Sequence, residues 1–385
     1  MVQLNNGRRT DCFTSEPEIS YILHEKGAKL KLPVSGTFEL TAGCNFHCGM
    51  CYIHSDASKG ASREELTAEQ WLDLGRQARD AGMVFLLLTG GEPLMRIDFP
   101  EIYKGLKELG LIVSVNTNGF FLDGEIEELF RKSPPSRLNI SLYGADNETY
   151  KRVCGVPAFT RVTENIKKMK EMGIPVRLNC SITRENCDNL EKIEALISSL
   201  NLNSKTTTYM YPPMRTEQGA FGENACRLDA RQAAYYRLRR SELHYSKKDF
   251  LGRCDGLLHV MQKNEKSEAS LRPERSPMRC RAGKSSFWIN WKGEISPCGV
   301  MGTEKINALD IGFSEAWEKV WQEAEKIRLP LKCSVCKYRH FCNVCAAVCY
   351  CETGGFDEPP QYVCELSENT AEFAREFSEK IRTDG

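Results

Sequence analysis

No apolar run in this 385-residue chain approaches 18 residues, so no segment reads as a membrane-spanning helix. There is no excess of charge either. The 52 Lys and Arg balance 52 Asp and Glu, which argues against a nucleic-acid scaffold while leaving room for a local basic channel. Met1 to Thr10 is polar and basic and lacks the apolar core of a secretory signal. A cytoplasmic protein is therefore expected, with neither a membrane nor nucleic acid as partner. Disulfides are disfavoured in that compartment, so the cysteines call for another explanation. The length exceeds a usual single core and suggests a large domain plus a smaller one.

Cysteine is what the chain has in plenty, 18 in all. Cys44, Cys48 and Cys51 fall in the run Thr41-Ala42-Gly43-Cys44-Asn45-Phe46-His47-Cys48-Gly49-Met50-Cys51-Tyr52, a C-x3-C-x2-C spacing followed by an aromatic. Three thiolates cannot fill the four corners of a cubane. A [4Fe-4S] cluster bound here keeps one iron without a protein ligand, open to a small molecule. Zinc fits less well, because it usually takes four protein ligands and none follows at finger spacing, His54 being the nearest candidate. About 40 residues on, the apolar run Val84–Leu88 leads into Thr89-Gly90-Gly91-Glu92-Pro93-Leu94. Glycines after a strand let the backbone approach a ligand closely, and a carboxylate there can accept from an amine.

Together these motifs resemble the radical S-adenosylmethionine (SAM) superfamily over roughly residues 37–366. The resemblance implies a cluster on Cys44, Cys48 and Cys51 that binds SAM at its open iron. It implies reductive cleavage of SAM to methionine and a 5′-deoxyadenosyl radical, which takes hydrogen from a substrate. A flavodoxin- or ferredoxin-type donor would supply the electron. An iron-sulfur protein that only transfers electrons is the non-enzymatic alternative, opposed by the open iron, which electron transfer does not need.

Nine more cysteines lie between Cys280 and Cys364. Cys280-x12-Gly293-x4-Cys298 precedes Cys333-x2-Cys336-x5-Cys342-x2-Cys345, and Cys364 follows. This resembles the SPASM extension of radical SAM enzymes, which holds two auxiliary [4Fe-4S] clusters, three per chain in all. The resemblance implies Cys333, Cys336, Cys342 and Cys364 for the outer cluster. It implies Cys280, Cys298 and Cys345 for the inner one. The usual pattern ends in C-x3-C where this chain has C-x2-C, with Cys349 and Cys351 close behind. The fourth inner ligand is left open among Cys254, Cys349, Cys351, a non-cysteine group and no protein ligand. Buried free thiols are the plain reading of Cys349 and Cys351.

Short apolar or β-branched runs alternate with helical periodicity over the first two thirds. Strands are expected at Phe38–Ala42, Val84–Leu88, Ile112–Asn116, Leu138–Leu142, Val176–Ile182 and Thr206–Tyr211. Helices are expected at Ala68–Asp80, Pro100–Leu109, Gly124–Lys132, Val162–Met172 and Leu190–Leu200. Six such units imply an α/β fold, a partial (β/α)6 TIM-like barrel, followed by a small cysteine-rich auxiliary-cluster domain. The expected division is an extension over 1–36, the barrel over 37–250, a linker or excursion over 251–279, the SPASM region over 280–366 and a C-terminal helix over 367–385. Within 251–279, Leu257–Met261 reads as a strand and Gln262–Ser276 as an exposed excursion. A helix is expected from Asp229 to about Ser246. Phe287–Ser296 reads as a hairpin turning at Lys292-Gly293, with Trp288, Ile289 and Trp291 packing around a cluster.

At the strand ends the resemblance implies SAM contacts from Asn116, Ser141 and Arg152, with Tyr52, Gly90, Gly91, Glu92 and Pro93 nearer the cluster. Relatives often carry aspartate where Tyr143 stands. Alternation along Val176–Ile182 puts Arg177, Asn179 and Ser181 on one face, so Arg177 and Asn179 are read as pocket residues. The SPASM resemblance implies a ribosomally made peptide or protein substrate, with thioether or carbon-carbon bond formation as examples. Alternatives are a small-molecule oxidase or decarboxylase and an anaerobic sulfatase-maturating enzyme. The 36 residues ahead of the first expected strand are too few for a leader-binding domain, so a separate leader-binding protein is one route to recognition.

Overall fold

The computed structural model describes residues 18–53, 65–213, 220–268 and 274–383; His54 and the stretch 214–219 lie outside them. After helix α1 (Glu18–Leu30) the chain alternates strand and helix. Strands β1 (Ser35–Glu39), β2 (Phe85–Thr89), β3 (Ile112–Thr117), β4 (Arg137–Ser141), β5 (Val176–Ser181) and β6 (Asn203–Thr207) are all parallel. Helices α2 (Ala68–Asp80), α3 (Phe99–Glu108), α4 (Gly124–Lys132), α5 (Asn147–Cys154), α6 (Phe159–Glu171) and α7 (Leu190–Leu200) lie between them in sequence. Local chemistry sets the helix ends. Thr67 and Gln70 form a reciprocal capping box on α2, and Asp146 accepts from the Thr149 N–H at 2.7 Å to start α5.

One side of the sheet is apolar. Leu88, Val115, Leu138, Ile140 and Leu178 are fully buried in one core with Trp71, Ile102 and Ile166 from the helices. Each such side chain contributes about 1.5–3 kcal/mol of burial. The alternate residues of β5, Arg177, Asn179 and Ser181, are half-buried on the other face, as the alternation requires.

The C-terminal third is built onto the same sheet. Helices α8 (Ala230–His244) and α9 (Lys247–Glu268) precede β7 (Ser286–Ile289), β8 (Glu294–Ser296) and β9 (Ile306–Asn307). The strand order is β6-β5-β4-β3-β2-β1-β7-β8-β9, with β7 parallel to β1 and the hairpin β7–β8 antiparallel. The ladder does not close on itself, so the parallel part is a partial barrel. Trp288 ties the two parts together, donating from Nε1 to Glu39 Oε2 at 2.9 Å. Short helices α10 (Ala308–Ile311), α11 (Phe313–Lys326), α12 (Leu331–Ser334) and α13 (Ala346–Thr353) lead to the long α14 (Gln361–Thr383). No described helix is long and apolar enough to cross a membrane.

Three expectations need correction. Leu257–Met261 is not a strand but part of α9, which runs on to Glu268 into the first half of the expected excursion; residues 269–273 of that excursion lie outside the described residues. Its buried side, with Phe250, Cys254 and Met261, packs in apolar clusters with residues of α14 such as Phe373 and Ala371. β1 and β6 each begin and end three or four residues early. Leu40–Ala42 leaves the ladder to enter the cysteine loop, and Tyr209–Tyr211 leaves it to meet α13 and α14. The C-terminal helix begins at Gln361 and so carries Cys364 in its first turn.

Candidate active site

The loop from Leu40 to Tyr52 leaves the C-terminal end of β1 and is fastened along its backbone. The Leu40 N–H donates to the Thr89 carbonyl, Gly91 N–H to Thr41 and Glu92 N–H to Gly43, each at 2.8 Å. On its other side the His47 N–H donates to the Cys154 carbonyl at 2.9 Å and Gly49 N–H to Val153 at 3.3 Å. The cysteine loop is thus held between the turn after β2 and the C-terminal end of α5. The glycines of the turn are needed for this contact. At Gly90, with φ +154°, a Cβ would lie 2.6 Å from the Thr41 carbonyl oxygen, and at Gly91 one would lie 2.7 Å from that of Ala42.

Glu92 is wholly buried beneath the loop. Its Oε1 accepts from Thr117 Oγ1 at 2.8 Å and Leu94 N–H at 3.1 Å, and its Oε2 accepts from the Asn118 N–H at 2.7 Å. Burial pushes the carboxyl up to about 7 against the pull of these three donors. Pro93, also buried, opens the short 3-10 turn that follows. A second carboxylate braces the loop's entry. Glu65 accepts from Thr41 Oγ1 at 2.7 Å and the Ala42 N–H at 3.2 Å, while Arg96 donates to the Leu40 and Leu66 carbonyls and pairs with Asp98.

The three thiols lie close enough to raise one another. Cys44 is pushed up to about 12, chiefly by burial, with Glu92 and Cys51 adding to it and the Phe46 N–H and Asn118 opposing. Cys48 is raised by its hydrogen bond with Cys154, by burial and by the other two thiols. Such a crowded set resists carrying three negative charges unless a cation shares the site, which is the chemistry of thiolate metal ligation. Among the described residues no three His, Cys, Asp or Glu converge on one point as around a single ion. A cubane instead spreads its thiolates, one to each iron, and the donor set fits that demand.

The other expected residues divide. Asn116 Oδ1 accepts from Asn139 Nδ2 at 2.7 Å, and Asn139 in turn pairs in register with Arg177. Ser141 lies opposite Asn179 on the next strand, and the Asn179 Oδ1 is buried without a hydrogen bond. Half-buried Tyr143 lies beside Cys48, and burial raises its phenol first. Arg152 points elsewhere, donating to the Glu185 carbonyl at 3.1 Å and pairing with Asp188 at 3.4 Å. Asn118, Thr117, Glu65 and Arg96 were not singled out from sequence. Only for the first two was there a signal, the polar strand end Asn116-Thr117-Asn118-Gly119.

In the C-terminal third, Cys333 has Cys342, Cys364 and Cys336 as neighbours, each raising its thiol, though burial is the larger cause. Cys351 has Cys298 and Cys345, and donates from Sγ to the Val300 carbonyl at 3.0 Å. Cys349 is raised by burial first and then by Cys333, Cys345, Cys342 and Cys364. Cys280 is exposed. Cys254 sits on α9, where its neighbours are Ser378, Asp255 and Glu242. Trp288 packs over Gly299, next to Cys298. Tyr211, past the end of β6, has its phenol raised by burial and then by Cys345, Cys298, Cys351 and Tyr52. Its neighbours thus include three cysteines of the C-terminal third and the aromatic residue that follows Cys51. Tyr209 beside it donates to Glu352 Oε1 at 2.6 Å, as does Arg227.

Known proteins match this arrangement. The Radical SAM superfamily profile covers residues 38–197. A probable GTP 3′,8-cyclase of Saccharolobus solfataricus is 32% identical over 287 residues, 74% of this chain and 88% of that protein. An AdoMet-dependent heme synthase of Methanosarcina barkeri is 28% identical over 335 residues, 84% of this chain and 94% of that one. Among solved structures, Streptococcus suis SuiB bound to the precursor peptide SuiA superposes with a TM-score of 0.64 at 20% identity, covering 90% of this chain and 80% of that chain. AdoMet-bound anSMEcpe gives 0.66 at 18% identity, covering 92% and 100%. The likeness to these last two is one of fold. With its three-cysteine loop fastened to a Gly-Gly-Glu-Pro turn at the mouth of a parallel partial barrel, the chain belongs to the radical SAM superfamily and is a SAM-binding, iron-sulfur enzyme of that kind.

Proposed function

We propose that this radical SAM enzyme modifies a ribosomally made peptide or protein, with two auxiliary [4Fe-4S] clusters in its C-terminal third. The observation that carries the reading is a second cysteine group, Cys298, Cys345 and Cys351, that shares the neighbour Tyr211 with Tyr52 at the end of the open-cornered Cys44–Cys51 loop. Bound SAM and the reduced cluster supply a 5′-deoxyadenosyl radical, and the protein supplies orientation and exclusion of side reactions. Tyr52, Gly90, Gly91, Glu92 and Pro93 hold the cluster side of the SAM site. Asn116, Ser141, Arg177 and Asn179 furnish polar groups at the strand ends. The surface ion pair of Arg152 with Asp188 supports a role for it outside that set.

In this reading Cys333, Cys336, Cys342 and Cys364 hold the outer cluster, and Cys280, Cys298 and Cys345 hold the inner one. Cys351 is its fourth ligand, supported by its having both Cys298 and Cys345 as neighbours. The surroundings of Cys254 speak against that residue. A peptide substrate is supported by the fold shared with SuiB bound to SuiA and with anSMEcpe bound to AdoMet and a peptide. The second reading, a small-molecule oxidase or decarboxylase, is favoured by the heme synthase named above, which matches over most of both chains.

The test is 5′-deoxyadenosine release from reduced protein and SAM, with a flavodoxin as electron donor. Candidate peptides, tetrapyrroles and nucleotides are added in turn. Stimulation by a peptide that gains a mass change supports the first reading. Stimulation by a small molecule alone supports the second. No release with any of them returns the chain to an electron-transfer role.

A further inference from the structure

We infer that Asn118 is a positioning residue for the Cys44 corner of the cluster and raises the reduction potential there, an inference that rests on the radical SAM reading of the same site. Asn118 is buried at the end of β3, and its backbone N–H and both ends of its side-chain amide are engaged. Its backbone N–H donates to Glu92 Oε2 at 2.7 Å. Its side-chain Oδ1 accepts from the Phe120 N–H at 3.0 Å, which fixes which end of the amide is oxygen. Nδ2 is thereby turned toward the cysteine loop. One of its hydrogens goes to Asn45 Oδ1 at 2.7 Å, and Cys44 Sγ lies 3.9 Å away for the other. The Phe46 N–H donates to the same sulfur at 3.4 Å.

Hydrogen bonds to ligating sulfurs are one of the levers that set the potential of an iron-sulfur cluster. A donor beside the thiolate stabilises the more negative, reduced state, and so makes reduction easier. Asn118 also joins this sulfur to the buried carboxylate of Glu92 through one residue. The loop, the Gly-Gly-Glu-Pro turn and the end of β3 then move as one piece.

The experiment is an EPR-monitored redox titration of reconstituted full-length protein, with Asn118→Ser and Asn118→Ala beside the parent. Serine keeps a side-chain oxygen for the Phe120 N–H and preserves the turn, but cannot offer two hydrogens to Asn45 and Cys44. The expected result is a midpoint shifted to more negative potential for the SAM-responsive cluster, at parental iron content and with any other cluster signal unmoved. Alanine should shift it in the same direction, whatever it does to melting temperature. An unshifted midpoint in the serine variant overturns the inference, as does an equal shift of every cluster. Absence of a SAM-responsive cluster in the parent would instead overturn the radical SAM reading itself.

Discussion

Gly91 leaves no room for a methyl group, because the carbonyls of Ala42 and Gly43 already occupy the space. Gly91→Ala should push the cysteine loop off its turn, with an overpacking cost of about 1–3 kcal/mol. Iron analysis and EPR should then show loss of the SAM-responsive cluster while C-terminal iron stays. Glu92 offers a second residue-scale test. Its carboxyl is raised from 4.5 in the unfolded chain to about 7 in the fold, so the folded state binds the proton more tightly. Its contribution is fully present below about pH 4.5 and is lost as pH rises toward 7, an effect of about 3 kcal/mol. Urea unfolding of metal-free protein should show that fall, and Glu92→Gln should flatten it. The cysteine and Gly-Gly-Glu-Pro motifs were legible because their spacing is chemistry in itself. Asn118 was not. Which asparagine of Asn116-Thr117-Asn118 faces the loop depends on where β3 ends, and the sequence points as readily to the first.

At the scale of elements, the parallel strands and the helices between them were read to within a few residues, since alternation and periodicity report burial directly. α9 was misread at Leu257–Met261, where a short apolar run fits a strand or a buried helix equally well and only packing against α14 decides. Contacts made after β6 were equally hidden. There Arg227 and Glu352, at 10% and 4% side-chain exposure, pair at 2.6 Å, and Tyr209 donates to the same carboxylate oxygen. This buried group joins the chain that precedes α8 to α13, which carries Cys349 and Cys351. Glu352→Gln removes the charge that compensates Arg227 and should cost about 3–5 kcal/mol in denaturant unfolding. The double variant Arg227→Met with Glu352→Leu should lose less than the sum of the single changes, because neither charge is then stranded.

Across the whole molecule, the strand β7 that pairs with β1 makes the cysteine-rich third an extension of the barrel's own sheet, so the two cysteine groups share one framework. Sequence spacing counted the thiols but could not say which meet, since Cys345, Cys349 and Cys351 lie on less than two turns of chain. Their neighbours differ, Cys351 having Cys298 and Cys349 having Cys333, Cys342 and Cys364, while Cys345 neighbours both. Reconstituted protein should therefore carry about 12 irons, and the triple change Cys44→Ala, Cys48→Ala, Cys51→Ala should remove about four of them together with all SAM cleavage. Cys351→Ala should alter the Mössbauer and EPR signature of one auxiliary cluster. Cys254→Ala should leave iron and spectra at the parental values. If Cys351→Ala is silent and Cys349→Ala is not, the fourth ligand has been assigned two residues too far along α13. If neither change is felt, the inner cluster has either a non-cysteine fourth ligand or an iron open to substrate. A substrate thiolate or amide could bind there, which would favour thioether formation over simple oxidation.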